Sequence, residues 1–492
     1  MGDGAGLLAE LLAGAAVFLH IGVCVLALGV LPTNRKPSSA MAWLILVLAV
    51  PYLGIVAFLL FGSTSVGRKR RAWQSEVNAR VLAVVEDEQG SSPVRHAEGV
   101  DDLARLNQGL GSLPLTDGNT VELVPDYQGS IAAMAAEIDT AQDFVHVEFY
   151  ISAWDDTTAG FFESMVRATE RGVDVRFLFD HLGSRGIPGY KQFAERLGAT
   201  GIRWAPMLPI APLKGEMRRP DLRNHRKILV VDGRVGFMGS QNLTEPGYNK
   251  PKNHKAGREW VELMTRVTGP VVRQLNVVFA TDWFAETGEN VVHTLEPVAP
   301  VAPPPGAVQE VSCQVVPSGP GFATENNLRL FNSMVYRAKR RLSLTSPYFV
   351  PDESLLYAVT TAAQRGVEVE LFVSAEADQF MVAHAQQSYY TALLEAGVRI
   401  WLYPSPYVLH AKHFSVDDDL AVIGSSNMDY RSFGLNYEVV MMMTSPEVVR
   451  RLAEVQDDYR SLSRELTLEH WRQRGRGAKY VDNVMRLTAA LQ

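Results

Sequence analysis

The chain has 492 residues, a formal net charge of -7, 47% hydrophobic residues and 21% charged residues. This length suits two or three domains with sizeable cores, and the composition excludes a disordered chain. The acidic balance argues against a protein that binds nucleic acid over its whole surface. The two cysteines, Cys24 and Cys313, are too few and too far apart for a disulfide framework or a zinc cage. We therefore expect the larger, C-terminal part of the chain to lie in a reducing compartment.

Two apolar runs without formal charge lie near the N-terminus, at residues 11–31 and 41–61. Each has about the ~20 residues that cross a bilayer as a helix. A cleaved signal peptide is the alternative for the first run, but that run lacks a basic start and a second run follows at once. A basic cluster at residues 68–71 follows the second run and is expected to face the cytoplasm. The sequence predicts a two-helix transmembrane hairpin, with the rest of the chain on the cytoplasmic side.

Beyond this hairpin, the chain contains two similar halves. A strand pattern at 144–151, a helical period at 161–171 and a second strand pattern at 172–179 recur at 341–350, 354–365 and 366–373. In both halves an Arg-Gly-Val triplet marks the corner where a glycine ends the helix. Strands that alternate with helices predict an α/β sheet with helices packed on it. The predicted organisation is a hairpin with its basic flank at 1–71, a connector at 72–120, a first α/β domain at 121–294, a proline-rich linker at 295–306 and a second α/β domain at 307–492.

Both halves carry one motif with the same spacing: His, Lys two residues later, Asp five residues after that, and then Gly-Ser-x-Asn. Its members are His225, Lys227, Asp232, Ser240 and Asn242 in the first half, and His410, Lys412, Asp417, Ser425 and Asn427 in the second. Residues two apart on a strand share a face, so we expect each His and Lys to project together. The two Asp residues have the opposite parity and lie at the turns of predicted β-hairpins, which favours a structural role. A single His-x-Lys is usually an ordinary surface pair, whereas two motifs with matching spacing indicate a shared function.

A pair of glutamates also follows the duplication. Glu259 and Glu438 each lie six residues before a threonine, Thr265 or Thr444, in an apolar strand pattern. A carboxylate there can accept the Nδ1–H of a histidine and leave Nε2 free to attack. The alternative is a pair of surface salt bridges.

These residue types fit transfer of a phosphodiester group. Two lysines and the Ser/Asn pairs Ser240–Asn242 and Ser425–Asn427 can neutralise the phosphate, so no metal or other cofactor is required. One imidazole attacks phosphorus, and the other protonates the leaving alkoxide. His146, His181, His254 and Asp180 are potential metal ligands, but no metal-ligand spacing joins them. Because each half holds one motif, we expect a single site at the interface of the halves.

The paired motifs resemble the HKD signature of the phospholipase D superfamily over nearly all of the chain after residue 120. The sequence is more closely similar to bacterial cardiolipin synthases of that superfamily, through residues 36–43, 346–353 and 427–438. The resemblance implies an enzyme of the bacterial inner membrane that acts on phosphatidylglycerol. It would transfer a phosphatidyl group between two such lipids, giving cardiolipin and glycerol through a phosphatidyl-histidine. It also implies that His225 is the nucleophile and His410 the acid and base.

Other functions stay open at this point. The same motifs serve a hydrolytic phospholipase D that releases phosphatidic acid, or a phosphatidylserine synthase. A nuclease and a non-catalytic membrane scaffold are weaker alternatives. The chain also departs from many family members after the first motif, where a basic segment with Lys250, Lys252, Lys255 and Arg258 stands in place of a short acidic stretch.

An apolar, proline-broken loop at residues 206–213 precedes the first motif. Its tip, with Leu208 and Ile210, either enters a membrane or belongs to an ordinary buried loop.

Overall fold

The computed structural model describes residues 3–33, 37–62, 96–211, 216–217, 219–299, 301–322 and 325–487. They belong to two compact units, Met1–Ser65 and Val66–Gln492. The predicted basic cluster at 68–71 lies outside the described residues, as does the first part of the predicted connector, residues 72–95.

The first unit consists of three helices, α1 (Asp3–Val30), α2 (Pro37–Ala49) and α3 (Pro51–Phe61). The second apolar run is divided between α2 and α3 because Pro51 has no N–H to donate and begins a new helix at its first position. None of the helices that the structure describes, in this unit or the other, is both long and apolar enough to cross a bilayer. The N-terminal prediction is thus confirmed only as a helical unit.

The second unit is built on a mixed sheet. In the described residues this sheet has 15 strands in the order β21-β15-β14-β12-β17-β18-β20-β11-β1-β10-β8-β7-β2-β3-β4. The strands of the unit are β1 (Thr116–Val124), β2 (Phe144–Phe149), β3 (Asp174–Asp180), β4 (Arg203–Met207), β5 (Ile210–Ala211), β6 (Glu216–Met217), β7 (Lys227–Val231), β8 (Val235–Gly239), β9 (Trp260–Val261), β10 (Met264–Thr268), β11 (Val308–Ser318), β12 (Arg341–Thr345), β13 (Phe349–Val350), β14 (Glu368–Ser374), β15 (Arg399–Tyr403), β16 (Val408–Leu409), β17 (His413–Val416), β18 (Leu420–Gly424), β19 (Met428–Asp429), β20 (Glu438–Thr444) and β21 (Arg464–Leu466).

Helices cover both faces of this sheet. They are α4 (Val100–Gly109), α5 (Tyr127–Asp139), α6 (Ala159–Glu170), α7 (His181–Arg185), α8 (Tyr190–Gly198), α9 (Pro251–Ala256), α10 (Val271–Thr287), α11 (Asn326–Arg337), α12 (Glu353–Gln364), α13 (Phe380–Gln387), α14 (Tyr390–Ala396), α15 (Tyr430–Gly434), α16 (Pro446–Leu462), α17 (Leu468–Arg472) and α18 (Arg476–Leu487). A turn of 3-10 helix, Val292–Leu295, precedes the proline-rich segment.

The sheet contains the predicted duplication. Strand order β1-β10-β8-β7-β2-β3-β4 in the first half corresponds to β11-β20-β18-β17-β12-β14-β15 in the second. The halves meet where β1 pairs antiparallel with β11, with Val121 opposite Val308. A continuous apolar cluster lies under this junction and combines Leu275 of α10, Leu452 of α16 and Val315 of β11. The duplicated α/β fold is therefore confirmed, and the two halves share one sheet and part of one core.

Each half contains the predicted strand–helix–strand unit. In the first, β2 and β3 pair in parallel on either side of α6, and in the second β12 and β14 pair in parallel around α12. The corner residues Gly172 and Gly366 have φ angles of 89° and 91°. Glycine is preferred there because a side chain disfavours this left-handed conformation.

The predicted hairpins β7–β8 and β17–β18 are present, with Asp232 and Asp417 at their turns. Both aspartates have positive φ angles, 50° and 52°. Their carboxylates accept backbone N–H groups that precede the neighbouring strand, from Gln142, Asp143 and Phe144 in the first half and from Lys339, Arg340 and Arg341 in the second. These contacts agree with the structural role that strand parity favours.

At the tip of the loop after β4, the sequence leaves either membrane insertion or burial open, and the structure shows that Leu208 is buried. Leu208 is only 2% exposed and packs with Met207 and Tyr437. Insertion of Leu208 is therefore wrong, and the buried-loop alternative holds for this residue. Residues 212–215 lie outside the part that the structure describes.

Candidate active site

Both catalytic-type histidines lie in segments that lead into a hairpin. β7 begins at Lys227 and β17 at His413, so neither His225 nor His410 belongs to the strand. The prediction that His and Lys share one strand face is wrong for this reason. They are held together in another way, because each lysine ammonium donates to the carbonyl oxygen of its own histidine.

The segment that precedes each hairpin is held by backbone hydrogen bonds to the other half. The N–H of His225 donates to the carbonyl of Tyr437 at 2.8 Å, and the N–H of His410 donates to the carbonyl of Val261 at 2.8 Å. In addition, β16, which precedes His410, pairs in parallel with β9 of the first half. The backbone of each motif is thus fixed by the other half.

Each histidine side chain likewise pairs with a glutamate of the other half. His225 Nδ1 lies 3.2 Å from Glu438 Oε1, and His410 Nδ1 lies 2.6 Å from Glu262 Oε1. Both carboxylates are buried, with relative exposures of 0% and 1%. A carboxylate at Nδ1 selects the tautomer that protonates this nitrogen and leaves the lone pair of Nε2 free. Each half therefore supplies the histidine of one pair and the glutamate of the other.

Glu438 pairs with a histidine, as the sequence predicts, but Glu259 does not. Glu259 is exposed, and the residue that pairs with His410 is Glu262. The spacing rule fits both choices, because Glu262 also lies six residues before a threonine, Thr268. The strand register decides between them: β8 residue Gly239 pairs with Met264, as Gly424 pairs with Val440.

The serines of the motif hold the glutamates. Ser240 Oγ donates to Glu262 Oε2 at 2.5 Å, and Ser425 Oγ donates to Glu438 Oε2 at 2.6 Å. Each hydroxyl also accepts a backbone N–H, from Leu263 or from Val439, at 3.0 Å. Each hydroxyl proton is thus donated to a carboxylate, and the phosphate-binding role of the two serines stays a prediction.

The two asparagines are buried and differ in their contacts. Asn242 donates to the hydroxyl of Tyr248 at 2.7 Å and accepts the N–H of Ile151 at 3.2 Å. Within the part of the chain that the structure describes, Asn427 Oδ1 has no hydrogen-bond partner. A phosphate contact from the side chain of Asn427 therefore stays a prediction.

The pKa values of both histidines and both glutamates of the site are shifted. It lowers the pKa of His225 to about 4, against the opposing effect of Glu438, and it also lowers the pKa of His410. Both imidazoles are thus neutral at pH 7. Burial opposes ionisation of Glu262 and Glu438, but the adjacent histidine, lysine and serine outweigh it and lower the pKa of both carboxyls.

The lysines connect the two motifs electrostatically. Burial lowers the pKa of Lys227 to about 8, with the two site glutamates opposing it. Burial lowers the pKa of Lys412 to about 7, and repulsion from Lys227 adds to the effect. The charge of Lys227 therefore acts on Lys412, although the two lysines belong to different halves.

Two tyrosines that the motif analysis did not single out contact the histidines. The Tyr150 ring lies 4.1 Å from the His225 ring between centroids, and Lys227 Nζ lies 5.4 Å from the same tyrosine ring. Tyr348 meets His410 edge-on at 6.5 Å. Tyr150 follows β2 and Tyr348 follows β12, the strands that pair antiparallel with β7 and β17, and this shared position is a signal in the sequence.

The halves differ directly beside the histidines. Arg226 is buried, pairs with Asp282, and donates from Nε to the carbonyl of Glu438 at 3.0 Å. Ala411 is the corresponding residue of the second half and makes no such contact. Asn224, which precedes His225, donates to Glu148 at 2.8 Å, whereas Leu409 precedes His410. The two histidines therefore stand in different side-chain surroundings, and only the first half places a buried Arg–Asp pair beside its histidine.

Potential metal ligands that the sequence contains form hydrogen bonds with other protein side chains. His146 contacts Asn276 at 2.7 Å, and Asp180 accepts from Arg223 at 3.2 Å. Among the described residues, no three His, Cys, Asp or Glu side chains are placed to hold a metal ion.

The site thus combines two imidazoles, each oriented to leave Nε2 free, with two ammonium groups. One imidazole can attack an electrophile while the other delivers or removes a proton. The ammonium groups can neutralise an anionic substrate where water is largely excluded. This chemistry suits transfer of a phosphodiester group through a covalent intermediate.

Comparison with known proteins agrees with this chemistry. A family model described as "Cardiolipin synthase, PLD-like domain" matches residues 134–283 and 332–458. A second model, "Phospholipase_D-nuclease N-terminal", matches residues 21–63. The two matches to the first model coincide with the two halves of the sheet, and the second match lies in the helical N-terminal unit.

Relatives extend the similarity to most of the chain. Cardiolipin synthase A of Proteus mirabilis (strain HI4320) is 33% identical over 452 residues, which cover 90% of this chain and 91% of the relative. Cardiolipin synthase A of Yersinia pestis is 34% identical over 460 residues, covering 91% of each chain. The solved structure of a phosphatidylserine synthase from Haemophilus influenzae Rd KW20 shares the fold, with a TM-score of 0.57 and 14% identity over 79% of this chain and 99% of that one. The chain therefore belongs to the cardiolipin synthase family of phospholipase D-like enzymes.

Proposed function

We propose that this phosphatidyltransferase joins two phosphatidylglycerol molecules to give cardiolipin and glycerol. The observation that carries the proposal is the exchanged pairing of His225 with Glu438 and of His410 with Glu262, between two lysines. Relatives that are named cardiolipin synthase A over about nine-tenths of the chain support the choice of substrate and product.

In the first half-reaction, His225 Nε2 attacks the phosphorus of the donor lipid. A nitrogen–phosphorus bond forms, the bond from phosphorus to the headgroup glycerol breaks, and His410 gives a proton to the leaving alkoxide. The free His410 has a lowered pKa. The negative charge of the bound lipid, together with Glu262, favours the protonated imidazole that this step requires.

In the second half-reaction, His410 takes the proton from a hydroxyl of the acceptor lipid. The acceptor oxygen attacks the phosphatidyl-histidine, the nitrogen–phosphorus bond breaks, and His225 is restored. Lys227 and Lys412 stabilise the negative charge that gathers on the phosphoryl oxygens. We assign the attack to His225 because Arg226 and Asn224 tie its segment to Glu438 and Glu148 through their side chains, which Ala411 and Leu409 beside His410 cannot do.

The substrate assignment is tested with phosphatidylglycerol that is labelled in its headgroup glycerol. We expect cardiolipin and free glycerol in equal amounts, and unchanged rates in the presence of EDTA because the proposed steps use only side chains. His225→Ala and His410→Ala should each lower turnover by about 1,000-fold or more, since the covalent route is lost. Phosphatidic acid as the main product, without cardiolipin, would instead identify a hydrolytic phospholipase D.

The pairing of the glutamates is tested by amide substitutions. Glu262→Gln and Glu438→Gln should each lower kcat by about 100-fold or more, because an amide no longer selects the Nδ1–H tautomer or stabilises an imidazolium. Glu259→Gln is the matched control at an exposed position and should change kcat by less than about twofold. A large effect of Glu259→Gln with a small effect of Glu262→Gln would contradict the assignment.

The lowered pKa values predict a bell-shaped pH dependence of kcat/KM. Below its pKa of about 4, His225 is protonated and cannot attack, so kcat/KM should rise through this pH. On the alkaline side, kcat/KM should fall first as free His410, which must be protonated to act as the acid, loses its proton at its lowered pKa. It should fall again as Lys412 loses its charge above its pKa of about 7. Lys412→Arg keeps the charge, so this second fall should move up toward the pKa of Lys227, about 8. An unmoved second fall would show that another group controls it.

We further propose that the first unit holds the chain in the bacterial inner membrane as a helical hairpin, with the second unit on the cytoplasmic side. Large apolar side chains of this unit are exposed to an extent that a water-facing surface rarely shows, including Phe18 at 79%, Leu26 at 67% and Leu59 at 74%. The similarity of residues 21–63 to the family's N-terminal model is consistent with this proposal.

Cysteine labelling tests this membrane attachment with residues that are already present. In isolated membranes that contain a Cys313→Ser variant, so that denaturation exposes no second thiol, a charged maleimide should fail to label Cys24 until the lipid is removed with denaturing detergent. Tyr480→Cys, at a side chain that is 72% exposed, should react only after the cells are opened. Labelling of Cys24 in intact membranes would contradict insertion, and labelling of Tyr480→Cys in intact cells would reverse the sidedness.

A further inference from the structure

Two loops of the second half leave the sheet at the same edge as His410. They follow β14 and β15, which pair in parallel with Ser374 opposite Tyr403. The N–H of Ala375 donates to the carbonyl of Tyr403 at 2.8 Å, and Ser374 Oγ accepts the N–H of Leu409 at 2.9 Å. The second of these loops leads through β16 directly to His410.

The first of these loops is tied to the histidine through a tyrosine. Tyr348 donates its hydroxyl to Asp378 at 2.7 Å, and Gln379 donates to the same hydroxyl at 3.1 Å. The Tyr348 ring lies 6.5 Å from the ring of His410. The residues that follow Gln379, at the start of α13, are therefore fixed close to the mouth of the site.

Large apolar side chains at this edge face the solvent. Phe380 is 67% exposed, Met381 is 44% exposed and Tyr407 is 42% exposed. At the corresponding edge of the first half, after β3 and β4, Ile187 and Leu208 are only 4% and 2% exposed, Leu182 and Ile210 are half-buried, and no described large apolar side chain is exposed. The α/β fold does not itself require the exposure, because the same architecture in the first half avoids it.

Cations stand beside this apolar edge. The segment Lys250–Arg258 contains α9, where Lys252 and Lys255 are exposed, and Gly257 lies against Pro406, the neighbour of Tyr407. Burial and repulsion from Lys252 lower the pKa of Lys250, which also feels the charge of Asp378. Exposed apolar side chains next to lysines match the apolar and anionic layers of a phospholipid surface.

We propose that Phe380, Met381 and Tyr407 form a rim that enters the surface of an anionic phospholipid bilayer, while Lys252 and Lys255 contact its headgroups. The inference rests on the proposed function, since the substrates are then lipids of that bilayer. It assigns the His410 side of the site to the membrane. The hydroxyl of the acceptor lipid then reaches its base, His410, without crossing water, which limits hydrolysis of the phosphatidyl-histidine.

The rim is tested in the full chain, reconstituted in vesicles of phosphatidylglycerol and phosphatidylcholine. Phe380→Cys and Tyr407→Cys, in a Cys24→Ser background, carry an environment-sensitive fluorophore. Tyr336→Cys is the matched control, because Tyr336 is 49% exposed at the end of α11, near the opposite edge of β12. We expect nitroxide lipids to quench the labels at 380 and 407 at least threefold more than the label at 336, and aqueous iodide to show the reverse order.

Equal quenching by iodide at all three positions would overturn the proposal. The measurement is repeated with His225→Ala, which removes turnover, so it does not depend on the identity of the product. A failure of the proposed function would appear only in the product assay, and a failure of the rim only in the quenching.

Activity gives a second readout. The double variant Phe380→Ser/Tyr407→Ser should lower the ratio of turnover on bilayer phosphatidylglycerol to turnover on a short-chain, monomeric analogue by about tenfold. Tyr336→Ser should leave this ratio unchanged. An unchanged ratio in the double variant would overturn the proposal independently of the label.

Discussion

The active site depends on an exchange: each histidine is oriented by a carboxylate of the other half. His225 pairs with Glu438 and His410 with Glu262, and backbone hydrogen bonds from both histidines cross the junction as well. This arrangement requires that the halves keep a fixed register, which the pairing of β1 with β11 and the apolar cluster beneath it provide. The continuous sheet is therefore a condition of the chemistry.

The exchange also buries four ionisable groups around two neutral imidazoles. Glu262 and Glu438 stay charged, and Lys227 and Lys412 nearly balance them, although burial brings both lysine pKa values down to about 8 and about 7. An anion that enters the site restores full charge on the lysines, because it supplies the counter-charge that burial removes. Binding of the phosphate thus completes the electrostatics of the site, and an empty site holds less positive charge than its residue types imply.

Much of this arrangement could be predicted from the sequence, and the errors have identifiable physical causes. The duplication and the hairpins were predictable because strand and helix periods, glycine corners and Asp turns are local signals. Glu262 was missed because Glu259 and Glu262 both satisfy the same spacing to a threonine, and only the pairing of β10 with β8 selects one of them. The hydrogen bonds from the serines to Glu262 and Glu438 could not be predicted, because strand pairing and not local sequence brings these residues together. Arg226 was overlooked because its partner, Asp282, lies in a helix beyond the motif.

The exchanged pairing has the geometry of a two-fold dimer enclosed in one chain. Two identical subunits with one motif each would give each other a glutamate in the same way, and neither would be complete alone. Such a dimer must treat its two histidines equally. Fusion into one polypeptide removes this requirement, and the contrast between Arg226 and Ala411 is a difference that two identical subunits cannot carry. A single chain with two halves can therefore give its two histidines different surroundings.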